Sequence, residues 1–390
     1  MQDAQFSLTR VRLRNFRSIA NADVSLGRLL LLVGPNGSGK SNFLDALRLT
    51  SDSLQTSLDQ ALRSRGGGTE VQRRSTIGFA IDLEFEGAGH TGKYGFTVDA
   101  TRMQGFRVTS EYCEVAHADE GLAGFRVVDG ELTDTTEVVM PAASNQRLYL
   151  VSASGLEGFQ PVFDGLADMR VFNMNPDVMR LPQASDSGEF LDRDGSNIAS
   201  VVRRNLFHRD REKADMVKVT EYLQQIVPGI REIGLSQIAA WETVDFTMDA
   251  PPGEPGFSTF PAQSVSDGTL RALGVLVALF ASTGSTLSPI GIEEPESALH
   301  PAAAGVLLDA LRDASERRQV IVTSHSPDLL DRHDFDLSEL RAVRSIGGET
   351  VIGELDEAGT LALREDLYTP GELLRTDQLL PKIPRPAEAQ

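Results

Sequence analysis

GPNGSGKS, at residues 34–41, fits the pattern G-x-x-x-x-G-K-[ST] of a phosphate-binding loop. The apolar run LLLLV before it reads as a buried strand. The segment after it, with Phe43, Leu44, Leu47 and Leu49 apolar, reads as a helix. Strand, Gly-rich turn and helix start together give the motif a mechanism. Backbone N–H groups from Asn36 through Gly37, Ser38 and Gly39 to Lys40 can curl into a nest around a phosphate. The helix start, with Asn42 in its first turn, points its positive end at the same spot. Lys40 is placed to reach β- and γ-phosphates, and Ser41 to offer its hydroxyl to Mg²⁺. The bland alternative is a tight turn that binds nothing, and the flanks argue against it.

A second stretch, PIGIEEP at residues 289–295, reads as a short buried strand ending in two carboxylates. In P-loop proteins such a strand lies beside the loop strand and holds Mg²⁺ through an acidic residue. Glu293 takes that place here, and Glu294, just past the regular strand, is positioned to polarise an attacking water. Alone, two glutamates at a strand end are as often solvated charge. Roughly 25 residues upstream, SVSDGT at residues 264–269 opens a helical run carrying Leu270, Leu273, Leu276 and Leu279. Ser266, Asp267 and Gly268 at that helix start form a second candidate anion site. Downstream, QVIVTS at residues 319–324 is another buried-strand pattern that delivers His325 to a strand end, in reach of a γ-phosphate or its water. A lone histidine there is more often structural; within this series it reads as functional.

This ordered series resembles the ABC-type ATPases of the SMC, RecF and OLD class, over roughly residues 6–50 and 260–330. The resemblance implies an α/β fold: a P-loop ATPase head with an antiparallel β lobe and a short helical insertion in place of a long coiled coil. It implies ATP and Mg²⁺ as ligands. It also implies that the signature Ser266, Asp267 and Gly268 contacts ATP held by a second copy, giving an ATP-dependent head-to-tail homodimer. LRNFRSI at residues 13–19 is typical of the class, and the resemblance brings Arg17 toward the nucleotide. The chain departs from the class in places. Its signature reads Ser-Asp-Gly-Thr instead of Ser-Gly-Gly-Gln. His300 stands where an aspartate is common, and FNMNPD at residues 172–177 takes the place of a glutamine loop.

The net charge of −19 excludes duplex binding through a general basic field, so any DNA contact must be local. The candidate basic segments are residues 63–74 (RSRGGGTEVQRR) and 202–213 (VRRNLFHRDREK), which read as readily as solvated surface. Acidic character fits a basic protein partner equally well. A single cysteine, Cys113, allows no internal disulfide and no multi-cysteine zinc site, in keeping with a cytoplasmic protein. No signal peptide and no apolar run of membrane-spanning length stands out, so no membrane partner is expected.

The chain divides into an N-terminal part of the head with the loop (1–75), an antiparallel β lobe with the return to the core (76–186), a helical insertion with strands (187–250), a C-terminal part of the head (251–345) and a tail (346–390). The lobe is read from alternation at Ile77, Phe79, Ile81, Leu83 and Phe85 and from short strand patterns up to about Pro141. Residues 251–262, PPGEPGFSTFPA, read as a Pro/Gly-rich loop. Asp334 and Asp336 form an Asp-x-Asp, but about 65 residues after His325 leave little room for a nuclease domain of ordinary size. The expected function is an ATPase, associated with DNA, whose dimerisation gates a separately encoded nuclease in antiviral defence. The alternatives are a RecF-like DNA-repair ATPase and the ATPase subunit of a transporter.

Overall fold

Three apolar runs, Leu29–Val33, Ile290–Glu293 and Val320–Ser324, lie side by side as parallel strands. Almost every residue in them is buried, as parallel strands covered on both faces require. The computed structural model describes residues 4–383 apart from 88, 102–104, 118–120, 138, 208–209, 251–255, 282–285 and 333–334. Within it these strands form the centre of a six-stranded sheet, bounded by Arg170–Phe172 on one side and by Leu340–Ile346 and Glu349–Gly353 on the other. Only the outermost strand, Glu349–Gly353, runs antiparallel to its neighbour.

Alternation along the loop strand divides the core in two. Leu29, Leu31 and Val33 pack with the signature helix Asp267–Phe280 and the helix Ala304–Ser315, through Leu270, Leu273, Leu276, Leu307 and Leu311. Leu30 and Leu32 face the other way, onto Phe43, Leu44 and Leu47 of the loop helix Lys40–Gln55. The sheet thus has a helical layer on each face, the α/β arrangement expected.

The lobe sheet has eight strands: Phe79–Gly87, His90–Thr101, Gly105–His117, Gly121–Val128 and Glu131–Thr135 run antiparallel to their neighbours, and the short Thr286–Leu287 pairs in parallel with the first strand of the chain. The first strand, Ala4–Phe16, and its partner Ile19–Ser25 also belong to this sheet, not to the nucleotide sheet. Their alternating apolar residues Phe6, Leu8, Val11 and Leu13 pack into the lobe core. Period-2 patterning identified the strand but carries no information about which sheet takes it.

Within the lobe, Glu111 is buried at 0% exposure. Its carboxylate accepts the Tyr94 hydroxyl and the backbone N–H groups of Tyr149 and Leu150. Burial outweighs those donors and pushes its pKa up from 4.5 to about 7. Folded protein therefore keeps a proton that the unfolded chain releases as pH rises above 4.5. Stability from this group is full below about pH 4.5, is lost as pH rises to 7, and changes no further above that. We expect a loss on the order of 3 kcal/mol across the window. Glu111→Gln should flatten it, as read from urea midpoints at pH 5 and pH 8.

The insertion contains the helices Ile198–Phe207 and Asp210–Ile226, followed by antiparallel strands. The second helix lays Met216, Val219 and Leu223 into the core shared with the signature helix. Tyr222 stacks on Phe280 with ring centroids 5.4 Å apart. Lys218 reaches Asp313 at 2.7 Å. At 17 residues the helix is docked onto the head, with no extension of the coiled-coil kind. The Pro/Gly-rich loop at 251–262 contains a strand, Phe257–Pro261, whose aromatic and β-branched residues pair with Trp241–Asp249. The segment after Leu340 enters the nucleotide sheet beside the loop strand, and Leu363, Leu373 and Leu379 pack the later residues onto the head.

Candidate functional site

The loop leaves the strand end at Val33 and enters its helix at Lys40. Gly39 has φ 99° and offers the helix no side-chain cap. The Asn42 N–H donates to Gly39 O at 3.0 Å, while a helix start leaves the N–H groups ahead of it without intrahelical partners and open to an anion. A Cβ on Gly39 would lie 1.9 Å from Thr350 Oγ1, so the close approach of that threonine admits glycine alone. Asn36, Gly37 and Ser41 are exposed, whereas Ser38 is buried, and its Oγ has no hydrogen-bond partner. Lys40 is 4% exposed and donates to the carbonyls of Gly34 (2.8 Å) and Pro35 (3.0 Å). Burial pulls its pKa down, while the charges of Glu294 and Glu296 oppose that pull. A buried cation, an unpaired buried hydroxyl and open helix N–H groups at one loop fit a nucleotide's phosphates. Ser41 and Glu293 carry oxygen atoms of the kind Mg²⁺ prefers and could hold it.

Glu293 closes the carboxylate strand, and its side chain is 12% exposed against Arg193, Nη2 to Oε1 2.7 Å. Glu294 has φ 45°, a left-handed backbone unusual for glutamate, with its N–H bonded to Thr323 O at 2.9 Å. His325 Nδ1 lies 3.2 Å from Glu294 Oε1, within ion-pair distance but off the line of a hydrogen bond. The sheet therefore brings Lys40, Glu293, Glu294 and His325 to neighbouring strand ends.

The signature stands apart. Ser266 caps its helix by accepting the Thr269 N–H at 3.2 Å, and Asp267 pairs with Arg180. Ser266 and Asp267 are exposed, and Gly268 packs so closely on Ala298 that a Cβ would come within 2.5 Å of its carbonyl oxygen. Arg17 is turned onto Asp45 of the loop helix at 2.7 Å. Asn42 donates to Ser18 Oγ at 2.6 Å. In the glutamine-loop position, Asn175 caps the short helix Pro176–Met179 by accepting the Asp177 N–H. His300 likewise accepts the Ala302 N–H.

Sequence reasoning missed four residues. Thr350, a lone threonine in the presumed tail, donates to Ser38 O at 2.9 Å and lies 2.7 Å from Ser18 Oγ. Its proton is committed to Ser38, so Ser18 must donate to it, and a chain runs from Asn42 through Ser18 and Thr350 to the loop backbone. Thr350→Val is expected to lower loop stability by roughly 1–3 kcal/mol and to weaken ATP binding, measured by thermal unfolding and calorimetry. Glu296, third acid of EEPE, is buried and accepts Ser324 Oγ at 2.6 Å and the His325 N–H at 3.3 Å, fixing the strand end that carries His325. Burial raises its pKa, opposed by the Ser324 hydrogen bond. Arg271, on the signature helix, reaches the Glu294 carbonyl at 3.4 Å. Arg193 fell within the segment read as the helical insertion and was given no role. A cleft of about 520 Å³ beside it is lined by Asn173, Asn175, Asp192 and Arg271. A larger cavity of about 680 Å³, around Arg28, His90 and Gln319, shares no lining residue with the loop.

The basic segments are partly neutralised. Arg65 is held by Asp45 and Asp52, Arg63 by Asp59, Arg73 by Glu349, and Arg203 by Glu242. Residues 208–209 of the second segment lie outside the described residues, as does Asp334 of the Asp-x-Asp. Asp336 caps a turn by accepting the Ser338 N–H.

Residues 7–121 match the family described as "AAA ATPase domain", and residues 180–331 match "AAA domain, putative AbiEii toxin, Type IV TA system". An OLD nuclease of Thermus scotoductus is 26% identical over 369 residues, covering 88% of this chain and 63% of that protein. A DNA replication and repair protein RecF of Rhizobium rhizogenes is 33% identical over 95 residues, 24% of each chain. The chain thus spans less than two thirds of the length of these relatives. Among solved structures, the SMC head domain of Thermotoga maritima aligns with TM-score 0.39 and 15% identity, covering 90% of this chain and 99% of that one. An Smc head from Pyrococcus furiosus, bound to the C-terminal domain of ScpA, aligns with TM-score 0.48 and 13% identity, covering 93% and 99%. The two family matches span the loop, the signature and both later strand ends, and with the OLD and RecF relatives they support an ABC-type ATPase of the SMC, RecF and OLD class.

Proposed function

We propose that this chain binds and hydrolyses ATP, and that ATP-dependent pairing of two copies gates a separate effector acting on DNA, a nuclease in antiviral defence. The observation that carries the reading is the split site. Lys40, Glu293, Glu294 and His325 gather at one set of strand ends, while Ser266 and Asp267 face solvent at the start of another helix. A signature that faces solvent is free to meet the nucleotide of a second copy, and two-fold pairing would complete two sites at once. Lys40 would exchange its loop carbonyls for phosphate oxygens, and Ser41 and Glu293 would hold Mg²⁺. That ion supplies neutralisation of charge on the β- and γ-phosphates. Glu294 would orient and deprotonate the attacking water, with His325 steadying it.

The nuclease partner is proposed from the OLD relative, whose length this chain covers only in part. The stretch similar to RecF favours a second reading, a DNA-repair ATPase that works without a nuclease. No described helix is long and apolar enough to cross a membrane. Co-purification with the product of the adjacent gene, followed by DNA cleavage with and without ATP, tests these readings. Cleavage should require the partner and change with ATP. Robust cleavage by this chain alone would overturn the two-component reading, and DNA binding without any cleaving partner would favour repair.

A further inference from the structure

Arg193 occupies the carboxylate assigned to the metal. Its guanidinium Nη2 lies 2.7 Å from Glu293 Oε1, and the arginine side chain is 42% exposed while the glutamate is 12% exposed. The backbone beneath it is fixed. Asn173 N–H donates to Arg193 O at 2.9 Å, and Asn175 N–H donates to Asp194 O at 3.0 Å. Asp192 accepts the Ser196 hydroxyl at 3.0 Å, and its own N–H donates to Asn197 Oδ1 at 2.9 Å. A rigid turn thus presents a long side chain that can swing while its anchor stays still. The same guanidinium is near enough to Arg48 of the loop helix to act on its charge: burial first, then Arg193, lowers the Arg48 pKa. A second cation therefore lies near Arg193, and the cleft beside Arg193 gives its side chain somewhere to go.

We propose that Arg193 is a placeholder for the divalent cation: it neutralises Glu293 before metal arrives and competes with the metal for that carboxylate. The inference rests on the assignment of Glu293 as a metal ligand. A half-exposed ion pair is a weak competitor, so the effect is modest, about two- to fivefold in metal affinity. Its consequence is that metal uptake should improve, by the same modest factor, when nucleotide phosphates offer Arg193 another anion.

The test is Mn²⁺ binding, followed by electron paramagnetic resonance on the full chain without nucleotide. Arg193→Ala should bind Mn²⁺ about two- to fivefold more tightly than the parent. In a Glu293→Gln background the same substitution should have no effect. Unchanged or weaker binding in Arg193→Ala would overturn the proposal. So would an equal gain in Arg48→Ala, which would reduce the effect to general charge, or a gain that persists without Glu293. If Glu293→Gln alone leaves Mn²⁺ affinity unchanged, the metal assignment itself has failed, a result distinct from a failure of Arg193 only. Thermal unfolding of each variant shows that the comparison is made on folded protein.

Discussion

Glu294→Gln is expected to cut ATP turnover by about 10²- to 10⁴-fold while leaving ATP bound, the range lost when a general base is removed. The amide matches the carboxylate in shape, so the local fold should survive. The backbone N–H stays on Thr323 O, and Arg271 stays near the carbonyl. What disappears is the charge that sits 3.2 Å from His325 Nδ1 and can take a proton from water. The left-handed φ of 45° supports a functional reading, because such a conformation costs about 1–3 kcal/mol and persists where surroundings over-determine it. With ATP retained, the variant should accumulate as a dimer, seen by light scattering with and without ATP. Ser266→Arg should dissolve that dimer while monomers still bind ATP. Turnover at the parental rate in Glu294→Gln would remove Glu294 from the mechanism.

Lys40→Ala should weaken ATP binding about ten- to a hundredfold, the contribution of a charge-assisted hydrogen bond to phosphate. The buried ammonium is held by two loop carbonyls, at 2.8 and 3.0 Å, and therefore stands ready at the mouth of the loop. Its loss also removes a donor from both carbonyls, although Pro35 O keeps the Ser38 N–H at 3.2 Å. Lys40→Met, which fills the space without charge, separates the two effects. Both variants should lose affinity in calorimetry, while Lys40→Met should unfold closer to the parental temperature. Parental affinity in both would take the loop out of the site.

The loop, the carboxylate strand and the histidine strand were legible because each is a local signal. LLLLV, IGIE and VIVTS are buried on both faces and read as apolar runs, and the chemistry sits at their ends. Thr350 was not legible: its value lies in meeting Ser38 and Ser18 across strands far apart in the chain, and nothing around it in sequence marks it. Arg193 and Glu296 were hidden in the same way, since a charge in a turn declares itself only through what the fold sets opposite it. The sheet that takes the first strand was not legible either, because Phe6, Leu8 and Val11 would suit either sheet. The strand Phe257–Pro261 was masked by the prolines and glycines before it.

The order of strands in the nucleotide sheet has a consequence for biosynthesis. Leu29–Val33 emerges early from the ribosome, yet its two neighbours are Val320–Ser324 and Leu340–Ile346. The lobe hairpins from Phe79 to Thr135 pair with their immediate successors and need no late residues. Contacts distant in sequence form slowly, and domains fold as their residues appear. A nascent chain would therefore carry a finished lobe long before it had a working phosphate loop. Thr350, which holds that loop in shape, is among the last head residues to be made. A chain interrupted just before it would keep the GPNGSGKS sequence and both strands beside it, yet lack the edge strand Glu349–Gly353 and the hydroxyl that holds the loop.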